Sequence, residues 1–176
     1  MKKILMTLVA VAMATTMNAQ WYAGGGVGFQ SVSYDGNSET QFTILPEIGY
    51  NLDDKMAVGA TFGYGEVSND HHKTKTFIVA PYLRYKLLEF DKVNFFVDGG
   101  IAYRSVDYES YKNNTFQIGV KPGVAVNLND KLSFVSHFGF LGYQTSKDDT
   151  DGAKAVNTIG LSVDASALSF GLYYNF

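Results

Sequence analysis

Glu47, Arg84, Asp98, Arg104 and Lys121 share a setting: each stands mid-way along a stretch in which polar and apolar residues alternate. Both signs of charge occur, always on the polar side of the alternation. Charges gathered in a confined space either pair and fill it, or line a polar path for ions and small solutes. Burial is tolerable only when they are paired. Glu47, Arg84 and Lys121 are expected to form the core of a paired network, with Asp98, Arg104 and Tyr82 near it.

Other reactive residue types carry less. His137 lies on the same polar side, with Ser133, Val135 and Gly139. Nucleophilic catalysis needs a serine within hydrogen-bond reach of its base. Ser136 is adjacent and points the other way, so no catalytic residue is expected. Asp70-His71-His72 lacks the further fixed ligands of a metal site. Asp148-Asp149-Thr150-Asp151-Gly152 misses the calcium-loop spacing, although such a loop can gather divalent ions loosely. GGGVG (24–28) precedes no helix and is not a phosphate loop. Asn113-Asn114-Thr115 matches a glycosylation sequon at chance frequency. No cofactor and no metal are expected.

The elements that position the charges are strands. QFTILPEIGYNL sets Phe42, Ile44, Pro46, Ile48 and Tyr50 against Gln41, Thr43, Leu45, Glu47 and Gly49. TFIVAPYLRYKL and TFQIGVKPGVAVNL alternate likewise. Period 2 over such lengths means half-buried strands. Each segment begins with an aromatic residue, carries a proline on its apolar face (46, 81, 122) and ends in a short turn containing Asp-Lys: NLDDK (51–55), LEFDK (88–92), NLNDK (127–131). Alternating strands follow: MAVGATFGYGEV, VNFFVDGGIAYRSV and KLSFVSHFGFLGYQ. Three hairpins thus repeat as an up-and-down meander. Proline removes a ladder hydrogen bond, so a bulge or distortion is expected at each.

The remaining connections, 33–39, 68–75, 107–114 and 146–155, are polar and read as long loops. WYAGGGVGFQSV at the start and ALSFGLYYNF at the end bring the count to eight strands, with all short turns at one end. In NTIGLSVDASALSF the apolar phase switches, so a bulge, bend or turn is expected near Asp164 to Ala167. Residues 156–165 read as a strand extension or loop arm, with an extra hairpin as the alternative.

Lys2 and Lys3 followed by the apolar run Ile4 to Ala14 read as a secretory signal peptide, residues 1–19. Without it, 12 basic residues face 17 acidic ones, a net charge of −5, which argues against nucleic acid as a partner. The chain has no cysteine, 18 glycines, 12 tyrosines and 13 phenylalanines, a β-rich bias without disulfides. Beyond residue 20 no run of 18 apolar residues exists, which excludes a helical span but not a barrel of alternating strands.

Periodicity alone does not say which face is outside. The polar face carries opposite charges and many glycines, as a narrow eight-stranded interior requires. The apolar face carries aromatic residues at both ends: Phe42, Tyr64, Phe77, Tyr103 and Phe116 near the polar connections, Trp21, Tyr50, Tyr85 and Tyr174 near the turns. Paired girdles fit two membrane interfaces. The expectation is an all-β, closed antiparallel up-and-down transmembrane β-barrel of eight strands over residues 20–176.

With its leader, its WYAGGGVGF first strand, its repeated strand–turn–strand hairpins and its terminal FGLYYNF, the chain resembles the small eight-stranded outer-membrane barrels, the OmpX/OmpA-like outer membrane protein β-barrel domain family. The resemblance implies the outer membrane of a Gram-negative cell, with both termini periplasmic and the long loops extracellular. It implies outer-membrane lipid and lipopolysaccharide as surroundings, and the barrel-assembly machinery as a partner that reads Phe170, Leu172, Tyr174 and Phe176. A structural or surface-interaction role, in adhesion or envelope integrity through a ligand of the loops, is expected. A small passive porin-like channel is the alternative, and a lipid-modifying enzyme comes third.

Overall fold

The structure, a computed structural model, describes residues 20–34, 37–69, 72–162 and 169–176. The signal peptide, Asp70, His71 and the phase switch at 164–167 lie outside them. Ten strands run in chain order: β1 Trp21–Tyr34, β2 Asn37–Asn51, β3 Met56–Asn69, β4 Lys73–Glu89, β5 Val93–Asp107, β6 Lys112–Asn127, β7 Leu132–His137, β8 Phe140–Asp148, β9 Val156–Ser162 and β10 Ser169–Asn175. Each pairs antiparallel with its neighbours, and β10 pairs with β1 (Tyr22↔Asn175 to Gly25↔Leu172) to close the wall. β7 and β8 both pair with β6 and make up one staff. β9 pairs with β8 and β10 with β7, making another. The result is a closed eight-stranded barrel. Residues 156–162 are a strand extension on β8.

Two of the three short turns owe their shape to a side chain. Asp53 Oδ1 accepts from the amides of Lys55 and Met56, both at 2.7 Å. Asn129 Oδ1 does the same for Lys131 and Leu132, at 2.9 and 2.8 Å. This is the local mimicry of a backbone turn that Asp and Asn offer.

At the opposite end the expected loops 68–75 and 107–114 are largely strand, whereas 146–155 keeps a loop over 149–155 between β8 and β9. β3 runs to Asn69 and β4 starts at Lys73, while β5 runs to Asp107 and β6 starts at Lys112. Strands of 14–17 residues exceed the roughly 9–11 that cross a bilayer. Those two polar stretches are instead the ends of strands that run on as hairpins. Polarity marked where the chain leaves the apolar belt, not where pairing stops.

The prolines act on the side where their N–H is missing. Next to Pro46 the β2–β3 pairing lapses between Ile44↔Tyr64 and Glu47↔Thr61, and next to Pro81 the β4–β5 pairing lapses between Val79↔Tyr103 and Tyr82↔Gly100. The register is unchanged across both gaps, so neither is a bulge. At Pro122 the neighbouring strand breaks. β6 pairs with β7 up to Gly123↔His137 and with β8 from Val120↔Leu141, one residue out of step. Phe138 and Gly139 fill the break, Gly139 at a left-handed φ of 84°, and the Phe138 amide reaches the Pro122 carbonyl at 3.0 Å. KLSFVSHFGFLGYQ is therefore not one alternating strand. The extra residue ends the interior face that placed Gly139 beside His137 and turns Phe140 inward instead.

Outside, the apolar positions form a belt. Trp21, Tyr64, Tyr85 and Tyr103 are exposed and Tyr50 is half-buried, with Trp21 edge-on to Tyr50 at 5.1 Å. Phe170, Leu172 and Tyr174 share this face, where Phe170 stacks on Phe134 at 5.6 Å and Tyr174 meets Phe176 at 5.1 Å. The Phe176 amide donates to the Trp21 carbonyl at 3.0 Å, fastening the last residue to the first strand.

Candidate functional site

Inside the turn half of the barrel, alternation points Tyr22 (β1), Glu47 (β2), Tyr82 and Arg84 (β4), Phe96 and Asp98 (β5), His137 (β7) and Tyr173 (β10) at one another. Arg84 is the hub. Its Nε and Nη2 donate to the two oxygens of Asp98, both at 2.8 Å, the bidentate geometry that a planar guanidinium suits. Nη2 also reaches Glu47 Oε1 at 3.5 Å. Glu47 accepts from Thr61 Oγ1 at 3.0 Å and from the Tyr82 hydroxyl, and the Tyr82 and Tyr22 hydroxyls share a hydrogen bond of 2.7 Å. His137 Nε2 lies 2.8 Å from Asp98 Oδ2. Glu47 and Asp98 are only 8% and 6% exposed.

The aromatic rings fit because glycines stand beside them. Tyr22 pairs with Gly49, Tyr82 with Gly59 and Phe96 with Gly123. A Cβ at any of these glycines would strike the paired ring. Across β5, β6 and β7 the row reads Phe96, Gly123, His137, and the Phe96 ring crosses the empty middle position to meet the imidazole edge-on at 5.3 Å. The Arg84 guanidinium lies 4.1 Å over the other aspect of that ring system, a cation–π arrangement. The lumen is thus filled by a clasp that ties six staves together.

Of the six residues singled out in the sequence, the structure brings together Glu47, Tyr82, Arg84 and Asp98. Lys121 pairs in register with Asp98, yet it makes no hydrogen bond or contact ion pair among the described residues; Asp98 and Glu47 attract it only at longer range. Arg104 lies six residues further along β5, about 20 Å by strand rise, opposite Ile78 and Thr115. His137 and the rings of Tyr22, Phe96 and Tyr173 belong to the clasp without having been expected there. Gly49 and Gly123 on the polar face were the legible trace of the Tyr22 and Phe96 rings.

Above the clasp the β6–β8 wall is polar and hydrogen-bonded, with one carboxylate, Asp148. Gln117 Nε2 donates to Gln144 at 2.6 Å. Asn113 accepts from Thr115 and Ser146 at 3.1 and 2.8 Å and donates to Asp148 at 2.7 Å. At the hairpin rim the Glu109 amide donates to Asp107 at 3.1 Å, and Lys112 Nζ lies 3.4 Å away. These contacts hold the Asp107 carboxyl below the ordinary aspartate range.

Chemically the clasp is a charge-neutralising plug. Asp98 and His137 resemble two members of a nucleophilic triad, but the third is missing among the described contacts. Ser136 is on the opposite face, and the Ser133 hydroxyl donates to Asn127 at 2.9 Å.

The chain matches the family profile described as outer membrane protein beta-barrel domain over residues 4–176. Among solved structures it is similar to Neisserial surface protein A, with 17% identity, a TM-score of 0.51, and coverage of 89% of this chain and 97% of that one. It is also similar to the outer membrane protein OprG from Pseudomonas aeruginosa, with 14% identity, a TM-score of 0.49, and coverage of 89% and 93%. No curated protein sequence matches it. At 17% identity the likeness to the Neisserial protein speaks for the fold alone.

Proposed function

Because the chain belongs to the outer membrane protein beta-barrel domain family and so to the outer membrane, we propose that it serves there as a structural and surface-interaction protein and not as a conduit. The observation that carries this reading is the clasp: Arg84, Glu47, Asp98 and His137, with the rings of Tyr22, Tyr82, Phe96 and Tyr173, fill the turn half of an interior that eight strands make narrow. In this reading the turns and both termini face the periplasm, and the hairpin ends stand outside. The aromatic girdles sit in outer-membrane lipid and lipopolysaccharide. The hairpin between β5 and β6 offers a contact point for an outside ligand, where Tyr108 and Tyr111 stack at 4.9 Å while staying exposed. Tyrosine is an anchor residue of protein interfaces. Phe170, Leu172, Tyr174 and Phe176 serve as the signal for the barrel-assembly machinery.

Planar-bilayer recording of the purified protein tests the reading. The expected trace is flat. Stepwise conductance that Gly123→Phe abolishes would instead make the protein a small channel. The enzyme reading is tested by intact-mass measurement of lipid A from cells with and without the protein, where no mass change is expected.

A further inference from the structure

The tip of the β5–β6 hairpin turns on an unfavourable residue. Among the described residues Glu109 is the one non-glycine residue with a left-handed φ, 68°. Glycine or asparagine would take that conformation at less cost. The turn itself needs no carboxylate from this position. The Tyr108 amide donates to the Tyr111 carbonyl at 3.0 Å and the Ser110 amide to the Tyr108 carbonyl at 2.8 Å. The Glu109 side chain instead leaves its own hairpin. Its Oε1 accepts from the Lys73 amide at 3.1 Å, 36 residues away in the chain. Its Oε2 stands 3.7 Å from His72 Nδ1. Backbone strain retained at a residue that grips a neighbouring element points to a role for the grip.

The β3–β4 tip presents both partners. The Asn69 amide donates to the His72 carbonyl at 3.0 Å, and the His72 amide donates to Asn69 Oδ1 at 2.7 Å. These bonds set His72 and Lys73 at the start of β4, facing Glu109. The His72 and Glu109 side chains are 75% and 52% exposed, so protons reach both. The other charged groups around His72 are few. Lys73 follows it, with Nζ 3.9 Å from Glu66. Behind Glu109, Asp107 is paired with Lys112 at 3.4 Å. Asp70 and His71 precede it in the sequence. Between about pH 8 and pH 5.5 carboxylates and lysines as classes keep their charge, whereas histidine gains one.

We propose that Glu109 is a latch that fastens the β5–β6 hairpin to the β3–β4 hairpin, and that protonation of His72 tightens it. The stacked Tyr108 and Tyr111 are then held as a rigid contact point in mild acid and loosened as pH rises. This rests on the surface role proposed above for that hairpin and adds its regulation. With a neutral imidazole the latch is the bond to the Lys73 amide; with a charged one an ion pair joins it. An exposed ion pair is a weak contact, so the ratio of latched to free tips should change roughly two- to fivefold.

The chain has no cysteine, so a nitroxide on Ser110→Cys, exposed beside Glu109, reports the motion of the tip. The refolded barrel in zwitterionic micelles is measured at the two ends of that pH range, at constant ionic strength. The ratio of immobilised to mobile label should rise in acid by the factor given. His72→Gln should hold it at its high-pH value throughout, and His71→Gln should leave the response intact. Glu109→Gln keeps an acceptor for the Lys73 amide and should lose only the response to pH, whereas Glu109→Ala should free the tip at both ends. The Lys73 amide resonance gives a label-free reading, shifting with pH in the parent and not in Glu109→Gln. Heat-modifiable gel migration checks that each variant is folded. A ratio indifferent to pH, a response that survives His72→Gln or vanishes in His71→Gln, or a tip as immobile in Glu109→Ala as in the parent overturns the proposal. All readings are taken without a ligand, so a hairpin that latches yet binds nothing would sink the surface role and leave the latch standing.

Discussion

Replacing Arg84 by Met probes the clasp at its hub. The side chain makes two 2.8 Å bonds to Asp98 and one of 3.5 Å to Glu47, and it is 11% exposed. Met keeps much of the volume and removes the charge, leaving two buried carboxylates facing each other. Breaking a buried pair from one side costs about 3–5 kcal/mol. Here Asp98 keeps His137, while Glu47 keeps Tyr82 and Thr61, so the low end, about 3 kcal/mol, is expected. With a urea slope of about 2 kcal/mol/M, the unfolding midpoint should fall by roughly 1.5 M. Trp21, the single tryptophan, sits in the belt, so its fluorescence in neutral micelles follows unfolding. The triple variant Arg84→Met, Glu47→Gln, Asp98→Asn removes the stranded charges and should regain at least half of the loss. A single variant whose midpoint stays within about 0.3 M of the parent, or a triple variant no better than the single, refutes the view that paired charge holds this lumen.

Three further outcomes follow from the geometry. Gly123→Ala drives a methyl into the Phe96 ring and should cost about 1–3 kcal/mol in the same urea assay, whereas Gly28→Ala, which meets only Thr43 at 3.8 Å, should stay within about 0.5 kcal/mol. Asp107 should titrate below an ordinary aspartate in carboxyl NMR. With its folded value lowered, its contribution to the rim is whole above the unfolded value and lost as pH falls through the folded one, so the Lys112 resonances should move only in acid. Deleting Phe176 should sharply reduce the heat-modifiable form recovered from cells while leaving refolding in micelles nearly intact; equal recovery from cells would count against an assembly signal.

How far the sequence revealed this molecule depends on the range of each cause. Alternation is local, so QFTILPEIGYNL and TFIVAPYLRYKL announced both strand and face. The Asp53 and Asn129 turns were legible for the same reason. The break at Phe138–Gly139 was not, because HFGFLGY offers an aromatic to either phase. Only the missing amide of Pro122 on the neighbouring strand selects one. Height in the barrel was the other hidden quantity. Glu47, Arg84 and Asp98 meet while Arg104 does not, and that follows from cross-strand register, which no single segment encodes. His137 looked like an isolated base because its partner, Asp98, lies 39 residues away in the chain.

The break beside Pro122 behaves like a shift of reading frame. β7 turns its odd-numbered residues inward and β8 its even-numbered ones, and the single surplus residue between them absorbs the change. Losing one residue at 138 or 139 would join the two halves as one regular strand, with Gln144 and Ser146 still toward the lumen and Tyr143 still outside. Losing two would exchange the sides all the way to the next hairpin, sending Gln144 and Ser146 toward hydrocarbon and Tyr143 into the lumen. The joint therefore carries one residue that can be spared and none beyond it.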